Sequence, residues 1–259
     1  ETGDLRQAPA RPRAVRPEGE RGEEPEEEET LRAALLWRYP HRETVDIPSK
    51  LTATQLKGRE LDGEAAEQAP APPRPILFAR PDFAAREMGL TPAQRGTALH
   101  LVMQYIDFAR AADVQGVEAE IARLVEGEYL TAQQGRAVEP ARIAAFFASP
   151  LGREVLAAPG LRREFKFSLL VPAKDYFPRA GEGEQVLLQG VVDCCFDTPA
   201  GIVVVDFKTD RVGESGLAER TETYRPQLEA YSRALEAITG RPVCRRVLWF
   251  FALDRGVEL

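Results

Sequence analysis

The sequence predicts an α/β fold, in which a central mixed β-sheet is flanked by helices and preceded by a helical insertion. Two observations support this class. Residues 92–158 carry apolar side chains at helical spacing, whereas residues 164–207 contain three segments of alternating, β-branched residues. A further helical segment and a last apolar segment follow, an order typical of a sheet covered by helices on its faces.

The helical part opens with a capping signal. Thr91 is the predicted N-cap, Pro92 suits the first helical position, and Gln94 completes a capping box. We expect this helix to run to about Ala112. Helical periodicity then continues, with two breaks, over residues 117–158.

The strand signals come next. Segments 164–171, 186–196 and 202–207 are predicted strands, since turns containing Gly or Pro separate them. A helix is expected over 222–238 and a last strand over 243–253.

Composition divides the chain into three parts. Residues 1–30 are rich in Pro, Arg and Glu and are expected to form a disordered acidic linker. Residues 31–75 form a linker-proximal segment, with a short helix predicted at 51–57 and a Pro-rich stretch near its end. Residues 76–259 are the predicted compact domain. The polar opening without Met suggests a piece of a longer polypeptide.

The formal charge of −7 excludes a histone-like binder that holds nucleic acid through overall positive charge. Residues 1–30 contain ten acids against five Arg, so the rest of the chain is nearly neutral and can form local basic patches. The three cysteines Cys194, Cys195 and Cys244 do not make a disulfide framework, which favours a reducing compartment. With no apolar run near the ~20 residues that cross a bilayer, a cytoplasmic protein without membrane contact is expected.

One predicted strand ends in two charged residues that are candidates for catalysis. Asp206 and Lys208 are two apart, so both project from one face of the strand. Asp193 ends the motif Gly190-Val191-Val192-Asp193 on the preceding strand, and a hairpin would bring it beside Asp206. Two carboxylates can hold a divalent cation that activates water and neutralises a phosphate, while Lys208 orients that water or stabilises the transition state. The pattern therefore predicts phosphodiester hydrolysis.

Each of these residues also has a purely structural role open to it. Asp206 and Lys208 could be a simple ion pair at a strand end. Glu164 and Lys166 also place an acid and a lysine on one strand face and are a rival to Lys208. His100 taken alone is more often a hydrogen-bonded core residue than a metal ligand.

One face of the helix over 222–238 carries polar residues. Gln227 and Tyr231 are four apart and share that face, and Tyr231 alone would be a core residue. Together with Arg225 and Arg233, the face could contact a phosphate backbone or an unstacked base.

Five motifs in this order along the chain resemble the RecB-type branch of the PD-(D/E)xK nucleases. They are Gly96-Thr97-x-x-His100, Glu164 on a strand, Gly190–Asp193, Asp206–Asp210 and Gln227-x-x-x-Tyr231. Over residues 31–259 the chain is more closely similar to the C-terminal nuclease domain of the AddA family, the large subunits of bacterial AddAB helicase-nucleases. The stretches that carry this similarity are Trp37–Pro40, Ile47–Leu51, Arg95–Met103 and Arg225–Leu235.

The resemblance implies a restriction-endonuclease-like fold and a metal-dependent deoxyribonuclease, expected to be an exonuclease in double-strand break processing for recombination. It implies that Mg²⁺ or Mn²⁺ is held by His100, Asp193, Asp206 and the carbonyl of Phe207, with Lys208 catalytic. A nitrogen ligand makes Mn²⁺ binding easier than an all-oxygen site would.

Further roles and partners follow from the same resemblance. Glu164 would support the site, while Gln227 and Tyr231, with Arg225 nearby, would position the DNA strand. The implied partners are single-stranded DNA produced by unwinding, an AddB-like second subunit, and a helicase region upstream in the same polypeptide.

Two departures from the family limit these expectations. The sequence contains no Gly-x-x-x-x-Gly-Lys-Ser/Thr loop, so no ATP site is predicted in this fragment. Three cysteines cannot supply the four ligands of the iron-sulfur cluster found in some relatives, so no cluster is predicted. The alternative function is a non-catalytic nuclease-like module that docks a partner subunit or guides DNA, favoured by the apolar helices at 117–158. We prefer the nuclease, because acids and a lysine on buried strands have no purpose in an idle module.

Overall fold

A computed structural model describes residues 25–37, 45, 47–57 and 90–259. The chain divides into two units, Glu1–Val45 and Asp46–Leu259. In the first unit the described residues form helix α1, Pro25–Leu36. This helix begins inside the segment for which composition predicts disorder, since a Pro at the first helical position followed by acidic residues is favourable at a helix N-terminus. Residues 1–24 of that prediction lie outside the described residues.

The predicted capping box is present at the start of helix α2. The Thr91 hydroxyl accepts a hydrogen bond from the Gln94 amide, and the Gln94 side chain accepts one from the Thr91 amide. The helix ends at Tyr105, short of the predicted end at Ala112, because Asp107 starts a separate 3₁₀ turn by accepting a hydrogen bond from the Ala109 amide. The helices of the insertion are α2 (Pro92–Tyr105), α3 (Val114–Glu126), α4 (Ala132–Ala137), α5 (Pro140–Ala148) and α6 (Pro150–Ala157).

The described residues of the second unit form a six-stranded mixed sheet, which confirms the predicted fold class. Pairs β2–β3, β3–β4 and β5–β6 are antiparallel, whereas β1–β3 and β4–β5 are parallel. The long helix α7, Leu217–Thr239, connects β4 to its parallel neighbour β5. The strands are β1 (Lys50–Thr52), β2 (Arg162–Pro172), β3 (Gln185–Thr198), β4 (Gly201–Lys208), β5 (Val243–Phe250) and β6 (Arg255–Glu258).

Two segments differ from the sequence-based expectation. The short helix predicted at 51–57 is strand β1 followed by the 3₁₀ turn Ala53–Lys57, because parallel pairing with β3 takes its first residues into the sheet. The single strand predicted at 243–253 stops at Phe250 and turns back as β6, with Asp254 at a φ of 48° in the turn. No helix among the described ranges is long and apolar enough to span a membrane.

Strand β3 is the branch point of the sheet. Strand β2 pairs with one edge of β3 along nearly the whole length of β3. Strands β1 and β4 therefore share the opposite edge of β3. On that edge β1 pairs with 187–189 and β4 with 194–198, and the two ladders are separated by 190–193. The sheet therefore forks beside Asp193.

Around β4 the sheet is covered on both faces, as an amphipathic layered fold requires. Phe207 of β4 packs under the insertion helices, where its ring meets that of Phe146 edge to face at 5.3 Å. Val204, on the other face of β4, packs in the core beneath α7 that includes Leu235. The alternation of β4 thus directs Asp206 and Lys208 toward α7.

Candidate active site

The two predicted carboxylates occupy facing register positions where β3 and β4 separate. Their ladder ends at the pair Cys194–Val205, and the next positions in the same register are Asp193 and Asp206. Beyond that pair, the Asp193 side chain accepts a hydrogen bond of 2.8 Å from the backbone amide of Phe207. The carboxylate therefore replaces a ladder bond and fixes the start of the fork.

Glu164 lies opposite Asp193 on the other side of β3. The β2–β3 ladder pairs Arg163 with Cys194 and Phe165 with Val192, so its register places Glu164 against Asp193. Glu164 has a φ of 50°, the left-handed region that a side chain other than Gly rarely adopts. Such strain is concentrated at functional sites, where the surrounding structure maintains it.

Both strands change the face to which they direct their side chains at this position. Residues two apart in a regular strand share a face, yet Cys194 packs under the insertion helices and Val192 packs beneath α7. On β2 the Arg163 guanidinium stacks on Phe108 of the insertion at 4.4 Å, whereas Phe165 packs against the core beneath α7. The reversal brings acidic side chains into the fork between the two layers.

Helix α2 adds an imidazole to this fork. His100 Nδ1 lies 3.6 Å from Asp193 Oδ2. One ligand atom from each of His100, Glu164 and Asp193 lies within 4.8 Å of the others, and these residues form a group that could hold a metal ion. Two carboxylates and an imidazole suit Mg²⁺ or Mn²⁺, and the nitrogen favours Mn²⁺.

The two facing acids have opposite pKa shifts. Burial, together with the charge of Asp193, raises the pKa of Glu164 to about 7. Burial also opposes ionisation of Asp193, but His100, Lys208 and the amide of Phe207 outweigh it and lower the pKa of Asp193. The site is therefore short of positive charge at Glu164, which a bound cation would supply.

Lys208 is buried beside this cluster on the α7 side. Its Nζ lies 2.6 Å from Asp206 Oδ2, and the side chains are 3% and 2% exposed. Nζ also donates a hydrogen bond of 3.2 Å to Gln227 Oε1 and lies 3.9 Å from the centre of the Tyr224 ring. A lysine held by so many partners in the interior occupies one defined position.

Helix α7 supplies the residues that hold Lys208. Gln227 Nε2 donates to the Tyr231 hydroxyl at 2.6 Å, and burial raises the pKa of Tyr231 well above its usual value. The Tyr224 hydroxyl donates to Asp210, two residues after the end of β4. Tyr224 was not among the residues singled out from the sequence, although its spacing of three and seven from Gln227 and Tyr231 places all three on one helix face.

The structure does not bring every candidate residue into one group. Asp206 is not among the three residues that the described structure groups as a possible metal site, although its charge contributes to raising the pKa of Glu164. The Phe207 carbonyl therefore stays a predicted ligand, as does Asp206. Arg225 is paired with Glu222 at 2.6 Å on the helix surface, away from Lys208.

The remaining candidates lie at the surface. Arg233 contacts Asp175 at 3.5 Å on the exposed side of α7. Lys166, the rival of Lys208, is exposed on β2, and only its charge reaches the Glu164 carboxyl. The fold thus distinguishes the buried lysine from the exposed one, and the sequence favours the same lysine through the valine run before Lys208 and the paired Asp193.

A forked mixed sheet that gathers carboxylates, a histidine and a buried lysine defines the class of nucleases in which an acidic site cuts the phosphodiester backbone. The chain belongs to the PD-(D/E)XK nuclease superfamily, whose model matches residues 76–257.

The similar curated proteins are AddA components of ATP-dependent helicase/nucleases. That of Acetivibrio thermocellus is 41% identical over 237 residues, 88% of this chain and 18% of the relative. Those of Desulforudis audaxviator and Moorella thermoacetica are 40% and 39% identical, over 86% and 95% of this chain and 18% and 17% of each relative. The chain therefore spans about a fifth of the length of these relatives.

Among solved structures, one titled "Crystal structure of SSO0001" is similar with a TM-score of 0.30 and 17% identity. That match covers 67% of this chain and 77% of the other. A likeness at this level is too weak to bear on the fold or the site.

Proposed function

We propose that this chain hydrolyses phosphodiester bonds of DNA with the help of a divalent cation, as the nuclease part of an AddA-type helicase-nuclease. The observation that carries this proposal is the buried pair Asp206 and Lys208 beside the group of His100, Glu164 and Asp193. Buried charges are costly, and a chain keeps them where they act.

The donor set fits a divalent cation. His100, Glu164 and Asp193 offer one nitrogen and carboxylate oxygens at mutual distances within 4.8 Å. The raised pKa of Glu164, which comes from burial and the charge of Asp193, marks a place where positive charge would be stabilising. Asp206 and the Phe207 carbonyl complete the proposed ligands. When bound, the cation would lower the pKa of a water ligand and offset charge on the phosphate.

The chain's own residues would supply the rest of the chemistry. Lys208 places a fixed ammonium charge beside the carboxylates, where it favours the extra negative charge that the phosphate gains in the transition state. Gln227 keeps that ammonium in position through its hydrogen bond, and Tyr231 in turn orients Gln227.

The relatives suggest the setting in which this chemistry acts. Each is named as a component of an ATP-dependent helicase/nuclease and is about five times as long as the matched part. We therefore propose a helicase region elsewhere in the polypeptide, a second AddB-like subunit, and single-stranded DNA as the substrate. The proposed role is exonucleolytic processing of double-strand breaks for recombinational repair in the bacterial cytoplasm.

A cleavage assay tests the proposal. The purified chain should shorten labelled single-stranded DNA in Mg²⁺ or Mn²⁺, and EDTA should abolish the reaction. Lys208→Ala and Asp206→Ala should lose at least about a thousandfold in rate, about 4 kcal/mol of transition-state stabilisation. The exposed Lys174, which contacts Glu182 at 3.1 Å, provides the matched control Lys174→Ala, expected to keep full activity.

Two outcomes would contradict the nuclease assignment. Cleavage that survives both Asp206→Ala and Lys208→Ala would show that another site, or a contaminant, is responsible. Failure of the folded wild-type chain to bind Mn²⁺ in a calorimetric titration would favour the non-catalytic docking module instead.

A further inference from the structure

Next to the active site, the described residues leave one face of the sheet exposed. In β1, β2 and β3, Leu51, Phe167 and Leu188 pack in the core beneath α7. Alternate residues therefore point to the opposite face, and several of them are exposed there. We define this surface, the open face, by Lys50, Thr52, Lys166, Ser168, Gln189 and Val191.

The open face continues directly from the catalytic fork. The reversal of both strands at Glu164 and Asp193 is what turns Lys166 and Ser168 outward on this side. Lys166 is two residues from Glu164, about 6.7 Å along the strand, and its charge reaches the Glu164 carboxyl. A substrate strand leaving the fork on this side meets Lys166 first.

The polar groups of the open face match a phosphate backbone. Lys50 and Lys166 are exposed cations, and no described residue at an outward position of these three strands is acidic. Ser168 Oγ accepts a hydrogen bond of 2.9 Å from Gln189 Nε2, which orients the pair and leaves the hydroxyl hydrogen available as a donor. Phosphate oxygens bind to cations and hydrogen-bond donors, and carboxylates nearby would repel them.

The dimensions of the open face suit several nucleotides. Lys50 pairs in register with Leu187, six residues before Asp193 on β3. Six residues of strand span about 20 Å, which corresponds to about six nucleotides at the stacked rise of 3.4 Å. The two lysines thus lie near the two ends of a track.

We propose that the open face is a substrate subsite, which binds the phosphate backbone of the DNA strand on one side of the bond to be cut. This inference rests on the proposed function, because it assumes a nucleic acid in the fork. Contacts to phosphates are independent of sequence, so the subsite holds any strand delivered to it. Lys166 contacts the phosphates near the fork, and Lys50 contacts those at the far end.

Binding without cleavage tests the subsite. The full 259-residue chain is titrated in EDTA into a labelled single strand of about 12 nucleotides, twice what the face holds, and anisotropy is read. Lys166→Gln and Lys50→Gln should each weaken binding about fivefold at about 0.1 M salt, and each should reduce the slope of log K against log salt by about 0.7. Lys174→Gln, on the exposed lysine paired with Glu182, should change neither quantity.

Cleavage kinetics give a second, independent readout. In Mg²⁺ the double variant Lys50→Gln with Lys166→Gln should raise KM for the strand of about 12 nucleotides with little change in kcat. The increase in KM should be smaller for a strand of about three nucleotides, which is too short to reach both lysines. Wild-type affinity and salt slope in this variant would overturn the subsite and leave the open face to a protein partner. Failure of the proposed function would give a different result, because Asp206→Ala would then still cleave DNA.

Discussion

Glu164 and Asp193 face each other at the one place where both β2 and β3 reverse the direction of their side chains. The register of the ladder sets them opposite, and the φ of 50° at Glu164 is part of the reversal. Two acids confined in this way repel each other, which contributes to raising the pKa of Glu164 to about 7. The backbone therefore maintains an electrostatic conflict that a cation would resolve.

The first prediction concerns stability against pH in the absence of metal. Glu164 titrates near 4.5 when unfolded and near 7 when folded. Its stabilising contribution is therefore full below pH 4.5 and is lost as the pH rises through about 7. Glu164→Gln stays neutral, so relative to wild type it should gain about 1 to 2 kcal/mol in free energy of unfolding between pH 5 and pH 8, since solvent screens part of the interaction of this partly exposed carboxyl. Urea unfolding in EDTA measures this change.

An exposed glutamate provides a control that separates the effect of the Glu164 environment from the effect of removing any one negative charge. Glu118 is exposed on α3, so Glu118→Gln should differ from wild type by the same small amount at both pH values. A Glu164→Gln variant whose difference from wild type is equally independent of pH would contradict the proposed conflict with Asp193.

The order of elements and the adjacency of Asp206 and Lys208 could be predicted from sequence, because both depend on local patterns. Asp206 and Lys208 follow a buried valine run at a spacing of two, and the capping box at Thr91 marks a helix start. These signals involve residues within a few positions of each other. The structure therefore reproduces them with small shifts at the ends.

The reversal at Glu164 and Asp193 could not be predicted in this way. Periodicity describes which residues share a face only while the strand is regular, and a reversal in two paired strands depends on contacts across the sheet. The ring of Tyr224 beneath Lys208 likewise depends on how α7 packs against β4. The proximity of Glu164 on β2 to His100 on α2 also depends on tertiary packing, which local sequence patterns do not describe.

The second prediction concerns the buried ion pair. Removing one member of the pair leaves the other charge buried, so Asp206→Asn or Lys208→Met should each cost about 3 to 5 kcal/mol of stability. The double variant should cost less than the sum, because no unpaired charge remains. The exposed pair Lys174 and Glu182, at 3.1 Å, is the control, and its removal should cost less than about 1 kcal/mol. Strict additivity at Asp206 and Lys208 in urea unfolding would show that the two charges do not depend on each other.

The third prediction concerns His100, the proposed nitrogen ligand. His100 Nδ1 lies 3.6 Å from Asp193, and its loss removes the donor that favours Mn²⁺ over Mg²⁺. His100→Ala should weaken Mn²⁺ binding at least about tenfold in calorimetry and Mg²⁺ binding less. The chain's other histidine gives the control His41→Ala, which should bind both ions as wild type does. Equal losses for the two ions would mean that His100 acts on the carboxylates and not as a ligand.

The fourth prediction concerns Tyr224, whose ring centre lies 3.9 Å from Lys208 Nζ. The ring attracts the ammonium group, and Asp210 anchors the ring through the tyrosine hydroxyl. Tyr224→Leu should lower kcat about tenfold with little change in KM, since about 1.4 kcal/mol of positioning is lost. Tyr224→Phe retains the ring and should keep most of the activity.

A comparison of the two Tyr224 variants separates the contact from general packing. If Tyr224→Phe loses as much kcat as Tyr224→Leu, the hydroxyl and Asp210 are responsible and the ring is not. If both variants raise KM at constant kcat, Tyr224 contributes to binding of the strand and does not position Lys208. Thermal unfolding of each variant should be measured alongside the kinetics, because the Tyr224 side chain is buried against Phe250. A packing defect in Tyr224→Leu would lower Tm. It would not explain a loss of kcat at unchanged KM.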